Sequence, residues 1–233
     1  GCVMNRTWRT VAALASLLVL VAACAQPDAV TDDQSADGVL SSSDDELVVC
    51  ISGMVTPEEG LTYYQGLSEY VAEKAGLDLR LIHKAEYAEL NELLRSGEVD
   101  MAFSCSGPYV TGHEEFGLEL LAAPMVNGTA TYQAYIIVPA DSPATSLDAL
   151  EGATFAFTDP DSNTGCLVPT YMLALKDLTP EEFFGRVIYT YSHDNSIRAV
   201  ANHEVDGASV DSLIWEYANA TDPESTSRTT IIA

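Results

Sequence analysis

The stretch Thr158-Asp159-Pro160-Asp161-Ser162-Asn163-Thr164-Gly165-Cys166-Leu167-Val168-Pro169 decides the fold. It follows Ala153-Thr154-Phe155-Ala156-Phe157, which alternates as a strand does, and it precedes Tyr171-Met172-Leu173-Ala174-Leu175, whose spacing is helical. The segment is therefore a strand, a polar loop and a helix. Ser162, Asn163 and Thr164 are short side chains suited to capping, and Gly165 lets the backbone approach a neighbour closely. Unpaired amides and the positive end of the helix dipole favour a small anion at such a turn. The same residues also describe an ordinary capped turn, so the rest of the chain has to decide between the two readings.

Upstream, Leu47-Val48-Val49-Cys50-Ile51 is an apolar run short enough for a buried strand. Thr56-Pro57-Glu58-Glu59 offers an N-cap, a proline at the first helical position and a capping-box glutamate, and predicts a helix to about Gly76 with Tyr64, Leu67 and Val71 inward. A strand at residues 79–82, a helix at 87–95 closed by Gly97, and a strand at 99–104 follow. The same order recurs downstream, with Glu98-Val99-Asp100 reappearing as Glu204-Val205-Asp206. That spacing places Val49 on Phe155, Ser52 on Thr158, Tyr87 on His193 and Cys105 on Asp211. Two similar α/β lobes are expected, with parallel-rich sheets, flanking helices and a ligand cleft beyond the carboxyl ends of their strands. Ser52, Ser104 and the 162–165 loop, with His193 and Asp211, would line that cleft. Residues 47–136 would form the first lobe and 137–233 the second, with the apolar strand at 134–139 as the hinge crossing.

The N-terminal region has a different character. Met4 opens a segment with Arg6 and Arg9, an apolar core and Val21-Ala22-Ala23-Cys24, which reads as an export signal at residues 4–24. Small residues directly before Cys24 resemble the bacterial lipobox, which implies a lipid on that cysteine and an extracytoplasmic, membrane-anchored protein. Residues 25–46 hold seven Asp or Glu, four Ser and no aromatic residue, the composition of a disordered acidic tether. The net charge of −25 argues against nucleic acid, whose phosphates demand clustered Lys and Arg. It does not exclude an anion held by local dipoles. Cys50, Cys105 and Cys166 permit one disulfide, Cys50 with Cys105 on adjacent strands, or three thiols. The four histidines have no metal-ligand spacing.

Asp159-Pro160-Asp161-Ser162-Asn163-Thr164-Gly165 with Val168-Pro169, His193-Asp194 before a helix, Glu204-Val205-Asp206 and Ser106-Gly107-Pro108-Tyr109 together resemble the phosphate, phosphite and phosphonate substrate-binding proteins of ABC importers. The resemblance implies the two-lobed, type II-like periplasmic-binding-protein fold, no catalytic machinery and no cofactor. It places the anion-cradling loop on Ser162, Asn163 and Thr164, the family's histidine on His193, and first-lobe aromatic contacts on Tyr87 and Tyr132. Asp211 falls where some relatives carry an acidic residue that recognises an amino or hydroxyl group. By residue chemistry alone, Asp211 either accepts from a protonated oxyanion or caps the helix after it. Tyr109 either walls the pocket or supports its turn, and His193 is either a donor to the anion or a surface histidine. Implied partners are a small oxyanion and an ABC permease, with the protein acting as a monomer. The alternative is a sensory protein that presents an oxyanion such as arsenite or phosphate to a receptor kinase. Relatives of this kind also use a final segment to complete the first lobe, so a longer natural chain is expected.

Overall fold

The structure, a computed structural model, describes residues 45–126 and 128–233. The export signal with Cys24 and nearly all of the acidic tether lie outside the described residues. Along the chain run β1 (Glu46–Ile51), α1 (Pro57–Ala75), β2 (Asp78–His83), α2 (Tyr87–Ser96), β3 (Met101–Phe103) and α3 (Ser106–Phe116). They are followed by β4 (Ala134–Pro139), β5 (Thr154–Phe157), α4 (Val168–Ala174), α5 (Pro180–Phe183), β6 (Arg186–Tyr189), α6 (His193–Ala201), β7 (Gly207–Asp211), α7 (Ser212–Thr221) and β8 (Thr229–Ile231). The strands form a parallel sheet ordered β2-β1-β3 and a mixed sheet ordered β6-β5-β7-β4-β8. In the mixed sheet β5 runs parallel to β6 and β7, while β4 is antiparallel to β7 and β8.

The internal repeat is real at the level of elements. The spacing from Tyr87 to His193, the first residues of α2 and α6, also carries β1, β2, β3 and α3 onto β5, β6, β7 and α7. It extends to single bonds. Asp100 accepts from the Val48 N–H at 2.8 Å, and the equivalent Asp206 accepts from the equivalent Thr154 N–H at 2.8 Å. Gly97 and its counterpart His203 are both left-handed, at φ 77° and 58°. We call β1 to α3 the first half and β4 to β8 the second half.

Burial follows strand periodicity. In the second sheet Phe155 and Phe157 face one apolar cluster with Ile136, Leu173 and Phe184, while the intervening Ala156 faces the other with Ile137, Val200 and Val210. Phe155 stacks on Phe184 with centroids 4.3 Å apart. The first half has a smaller core of Val48, Cys50, Leu90 and Val99, against which Leu93 and Leu94 pack.

Three expectations need correction. Residues 134–139 are not a crossing between sheets: β4 lies inside the second sheet, bonded along both edges, so Ala134, Tyr135 and Ile136 belong to the second half. A run buried on both faces and flanked by partners is a core strand, and the link between the sheets is the chain between α3 and β4. Leu67, expected inward, is 52% exposed, whereas Tyr64 stacks on Phe103 at 4.5 Å. Finally, α1 starts after Thr56 with Pro57 in its first turn, but the Thr56 side chain makes no cap to it. The matching signature at Thr179 and Glu182 does form a full capping box.

Candidate functional site

The two sheets bring their carboxyl-terminal strand ends together. Ser52 follows β1, Ser104 follows β3 and Thr158 follows β5. Direct contacts join the halves here: His193 N–H donates to the Met54 carbonyl at 3.0 Å, and Tyr87 N–H to Asp159 Oδ2 at 3.2 Å. Gly107, in the first turn of α3, lies so close to the Asp161 carbonyl that any side chain would collide with it.

The loop of residues 158–167 is pinned from within. Ser162 Oγ accepts from Gly165 N–H at 3.0 Å, Asp159 Oδ1 accepts from Asp161 N–H at 2.8 Å, and Thr158 N–H donates to the Gly165 carbonyl at 3.2 Å. One π-helical turn, Asn163–Leu167, then runs into α4. A methyl group on Gly165 would collide with the Thr158 side chain, so the close approach that this glycine permits is internal to the loop. Because Ser162 Oγ is an acceptor in the loop, its own proton remains for donation. Thr164 Oγ1 is buried and has no partner within the protein.

His193 is 1% exposed, so it is not a surface histidine. Its Nδ1 lies 3.0 Å from the Asp211 backbone nitrogen and 3.2 Å from Thr158 Oγ1. A peptide N–H can only donate, so Nδ1 is the acceptor and the ring proton sits on Nε2. Nε2 is buried without a partner. Burial lowers the pKa of this imidazole to about 4, so at neutral pH it is an uncharged donor. Tyr87, its counterpart in the repeat, is likewise fully buried with an unpartnered hydroxyl, and burial raises its pKa so that it keeps its proton.

The hydroxyls of Ser52 and Ser104 are also buried without partners. Their places at strand ends were legible as lining, but their availability as donors was not. Five side chains from both halves thus offer uncharged polar groups: Ser52, Tyr87, Ser104, Thr164 and His193. A buried polar group without a partner costs on the order of 1–3 kcal/mol, so each of these groups calls for a polar partner.

Other predicted residues take supporting places. Asn163 Nδ2 donates to Ser106 Oγ at 2.9 Å, which joins the second half to the first. Tyr132 Oη lies 2.6 Å from the same Ser106 Oγ and 3.5 Å from Cys105 Sγ. Tyr109 stacks on His113 at 5.8 Å within α3. Asp211 caps α7, with Oδ1 accepting from Leu213 N–H at 2.7 Å and Ile214 N–H at 3.4 Å, and this cap leaves Oδ2 uncommitted. Cys50, Cys105 and Cys166 are free, buried thiols, and burial raises Cys50 to about 11. Among the described residues, no group of three or more His, Cys, Asp or Glu is placed to hold a metal ion.

Burial gives two of these groups opposite effects on stability. The folded pKa of His193 is about 4 against 6.5 for a free imidazole, so in that interval the unfolded chain binds the extra proton and stability rises with pH. The folded pKa of Asp211 is about 6 against 3.8, so there the folded chain binds the extra proton and stability falls as pH rises. Each effect is on the order of 3 kcal/mol, and over the shared interval they oppose one another. Urea unfolding from pH 4 to 6.5 should show His193→Gln losing stability relative to wild type as pH rises, and Asp211→Asn gaining it. Parallel profiles for all three proteins would contradict the assignment.

Comparison with known proteins agrees with this geometry. The profile of ABC-transporter phosphonate periplasmic substrate-binding proteins matches residues 51–233. The phosphonates-binding periplasmic protein of Escherichia coli is 28% identical over 141 residues, 58% of this chain and 41% of that protein. The phosphate-import protein PhnD of Mycolicibacterium smegmatis is 27% identical over 164 residues, 65% of this chain and 50% of that one. The chain thus spans half or less of the length of these curated relatives. A crystal structure of the binding component of a Pseudomonas aeruginosa ABC phosphonate transporter superimposes with a TM-score of 0.75 at 23% identity, covering 81% of this chain and 64% of that chain. This likeness establishes the fold, that of type II periplasmic binding proteins. The chain belongs to the phosphonate family of periplasmic substrate-binding proteins of ABC transporters.

Proposed function

We propose that this protein captures a small phosphorus oxyanion, a phosphate, phosphite or phosphonate, outside the cytoplasm and presents it to an ABC permease. The carrying observation is the set of buried, unpartnered and uncharged groups that both halves contribute, above all His193 Nε2, Thr164 Oγ1 and Tyr87 Oη. Neutral donors and helix N-termini stabilise an anion in a low-dielectric site without requiring a buried cation. The Asp211 carboxylate adds an acceptor for a protonated oxyanion, which a hydrogen phosphate can engage and a sulfate cannot. The names of the relatives support this range, since one binds phosphonates and another imports phosphate.

Thermal-shift and calorimetric titrations with phosphate, phosphite, methylphosphonate, aminoethylphosphonate, sulfate and arsenite test the proposal. A true ligand at a hundredfold excess over its Kd adds about 2.7 kcal/mol of stability. One or more phosphorus oxyanions should bind and sulfate should not, and Thr164→Val or His193→Gln should weaken binding at least tenfold. The proposal fails if no phosphorus oxyanion binds, and a response to arsenite alone would favour a thiol-based sensor. We further propose that Cys24 carries a lipid anchor, on the strength of Val21-Ala22-Ala23-Cys24. In a bacterial host, Cys24→Ser should release the protein from the membrane fraction and abolish labelling with a radioactive fatty acid. Unchanged membrane association of that variant would dismiss the anchor.

A further inference from the structure

α1 and α2 both begin without a side-chain cap from their own N-cap residue. Their N-termini are satisfied from the other half. Thr56, the N-cap of α1, donates its N–H to Asp194 Oδ1 at 3.0 Å and its hydroxyl to Asp194 Oδ2 at 2.8 Å. Asp194 thereby does what a capping-box carboxylate does, across the boundary between the halves. At α2, the first helical N–H, that of Tyr87, donates to Asp159 Oδ2. The second half behaves differently: Ser162, Thr179, Ser192 and Asp211 each cap the turn that follows them.

Asp159 and Asp194 are 2% and 8% exposed, and both lie beside a site whose available groups suit an anion. Carboxylates in such a place repel the ligand and lose hydration, so their presence needs another physical reason. Every carboxylate oxygen of the pair is engaged within the protein. Asp159 Oδ1 holds Asp161 N–H and Oδ2 holds Tyr87 N–H, while Asp194 Oδ1 holds Thr56 N–H and Oδ2 holds both Thr56 Oγ1 and Arg198 Nη2. The placement is also economical in sequence. Asp194 follows His193, and Asp159 grips the N–H of Tyr87, so each contact is made by, or next to, a residue that carries an unpartnered donor.

We propose that Asp159 and Asp194 are positioning residues that make docking of the two halves and completion of the α1 and α2 N-termini one event. When the halves separate, both helix starts lose their partners to water. When they meet, Tyr87 and His193 are brought to face the same ligand. The apparent affinity then scales with the fraction of molecules in which the halves are joined. Only the affinity arm of the test rests on the oxyanion reading.

The experiment is a distance measurement between spin labels on exposed sites of the two halves, Glu73→Cys and Glu181→Cys, in the full chain with and without inorganic phosphate. Asp194→Ala removes both Thr56 contacts, whereas Thr56→Val removes the hydroxyl contact and leaves the backbone N–H to Asp194 Oδ1. Both should deplete the joined population in ligand-free protein, Asp194→Ala more than Thr56→Val. Asp194→Ala should weaken phosphate and methylphosphonate binding by a common factor of about ten and Thr56→Val by a smaller common factor, and the double variant should be no weaker than Asp194→Ala alone. Arg198→Gln breaks the 2.7 Å ion pair within α6 but leaves the Thr56 contacts, so it should keep the wild-type distribution. Wild-type distributions in both Asp194→Ala and Thr56→Val, each confirmed folded by circular dichroism, would overturn the proposal, as would changes in affinity that differ between the two ligands. If wild-type protein binds no oxyanion, the functional reading falls while the ligand-free distributions still decide the role of Asp194.

Discussion

The backbone amide of Asp211 donates to Nδ1 of a buried histidine, and the chemistry of the site depends on that bond. It fixes the tautomer of His193, so that Nε2 carries the proton and has no partner within the protein. Protonation would place a second N–H against the Asp211 amide, and burial opposes the charge as well. The bond also ties three elements together: α6 supplies the ring, β7 ends in the amide, and Thr158 after β5 contributes its hydroxyl to the same nitrogen. The side chain of Asp211 meanwhile starts α7, so one residue sets both a helix and a tautomer.

An acidic chain that takes up an anion, as we propose for this one, has to do so with local fields, and both halves of the repeat carry uncharged polar groups that could supply them. Equivalent positions carry different side chains with a shared capacity. Tyr87 and His193 open α2 and α6 and each leaves a buried polar atom free, while Ser52 and Thr158 follow equivalent strands. The backbone framework, including the matched bonds of Asp100 and Asp206, is kept constant around them. A ligand held between two such frames would meet donors from both sides, and its binding would then depend on the halves being joined.

Much of this was legible in the sequence, and the remainder was hidden for a physical reason. The 158–169 loop, the alternation of strands and helices, and the pairing of Tyr87 with His193 are carried by local periodicity, capping chemistry and a fixed spacing. Contacts between distant residues leave no such trace. The apolar run of β4 announces burial but not its neighbours, so its place in the second sheet could not be read from it. Thr56 has the local signature of a cap, yet its partner lies 138 residues away. Asn163 sits in the anion loop by sequence, and only the approach of α3 shows its amide committed to Ser106. Ser52 and Ser104 were visible at strand ends, but a missing partner is a property of the fold.

The most direct test of the account is the ¹⁵N and ¹H resonance pattern of the His193 ring at neutral pH, recorded with and without saturating phosphate. The account predicts a neutral ring with unprotonated Nδ1 and protonated Nε2, and an Nε2–H resonance that moves on adding phosphate while Nδ1 stays unprotonated. An imidazolium, a proton on Nδ1, or an Nε2–H signal indifferent to phosphate, phosphite and methylphosphonate alike would contradict it.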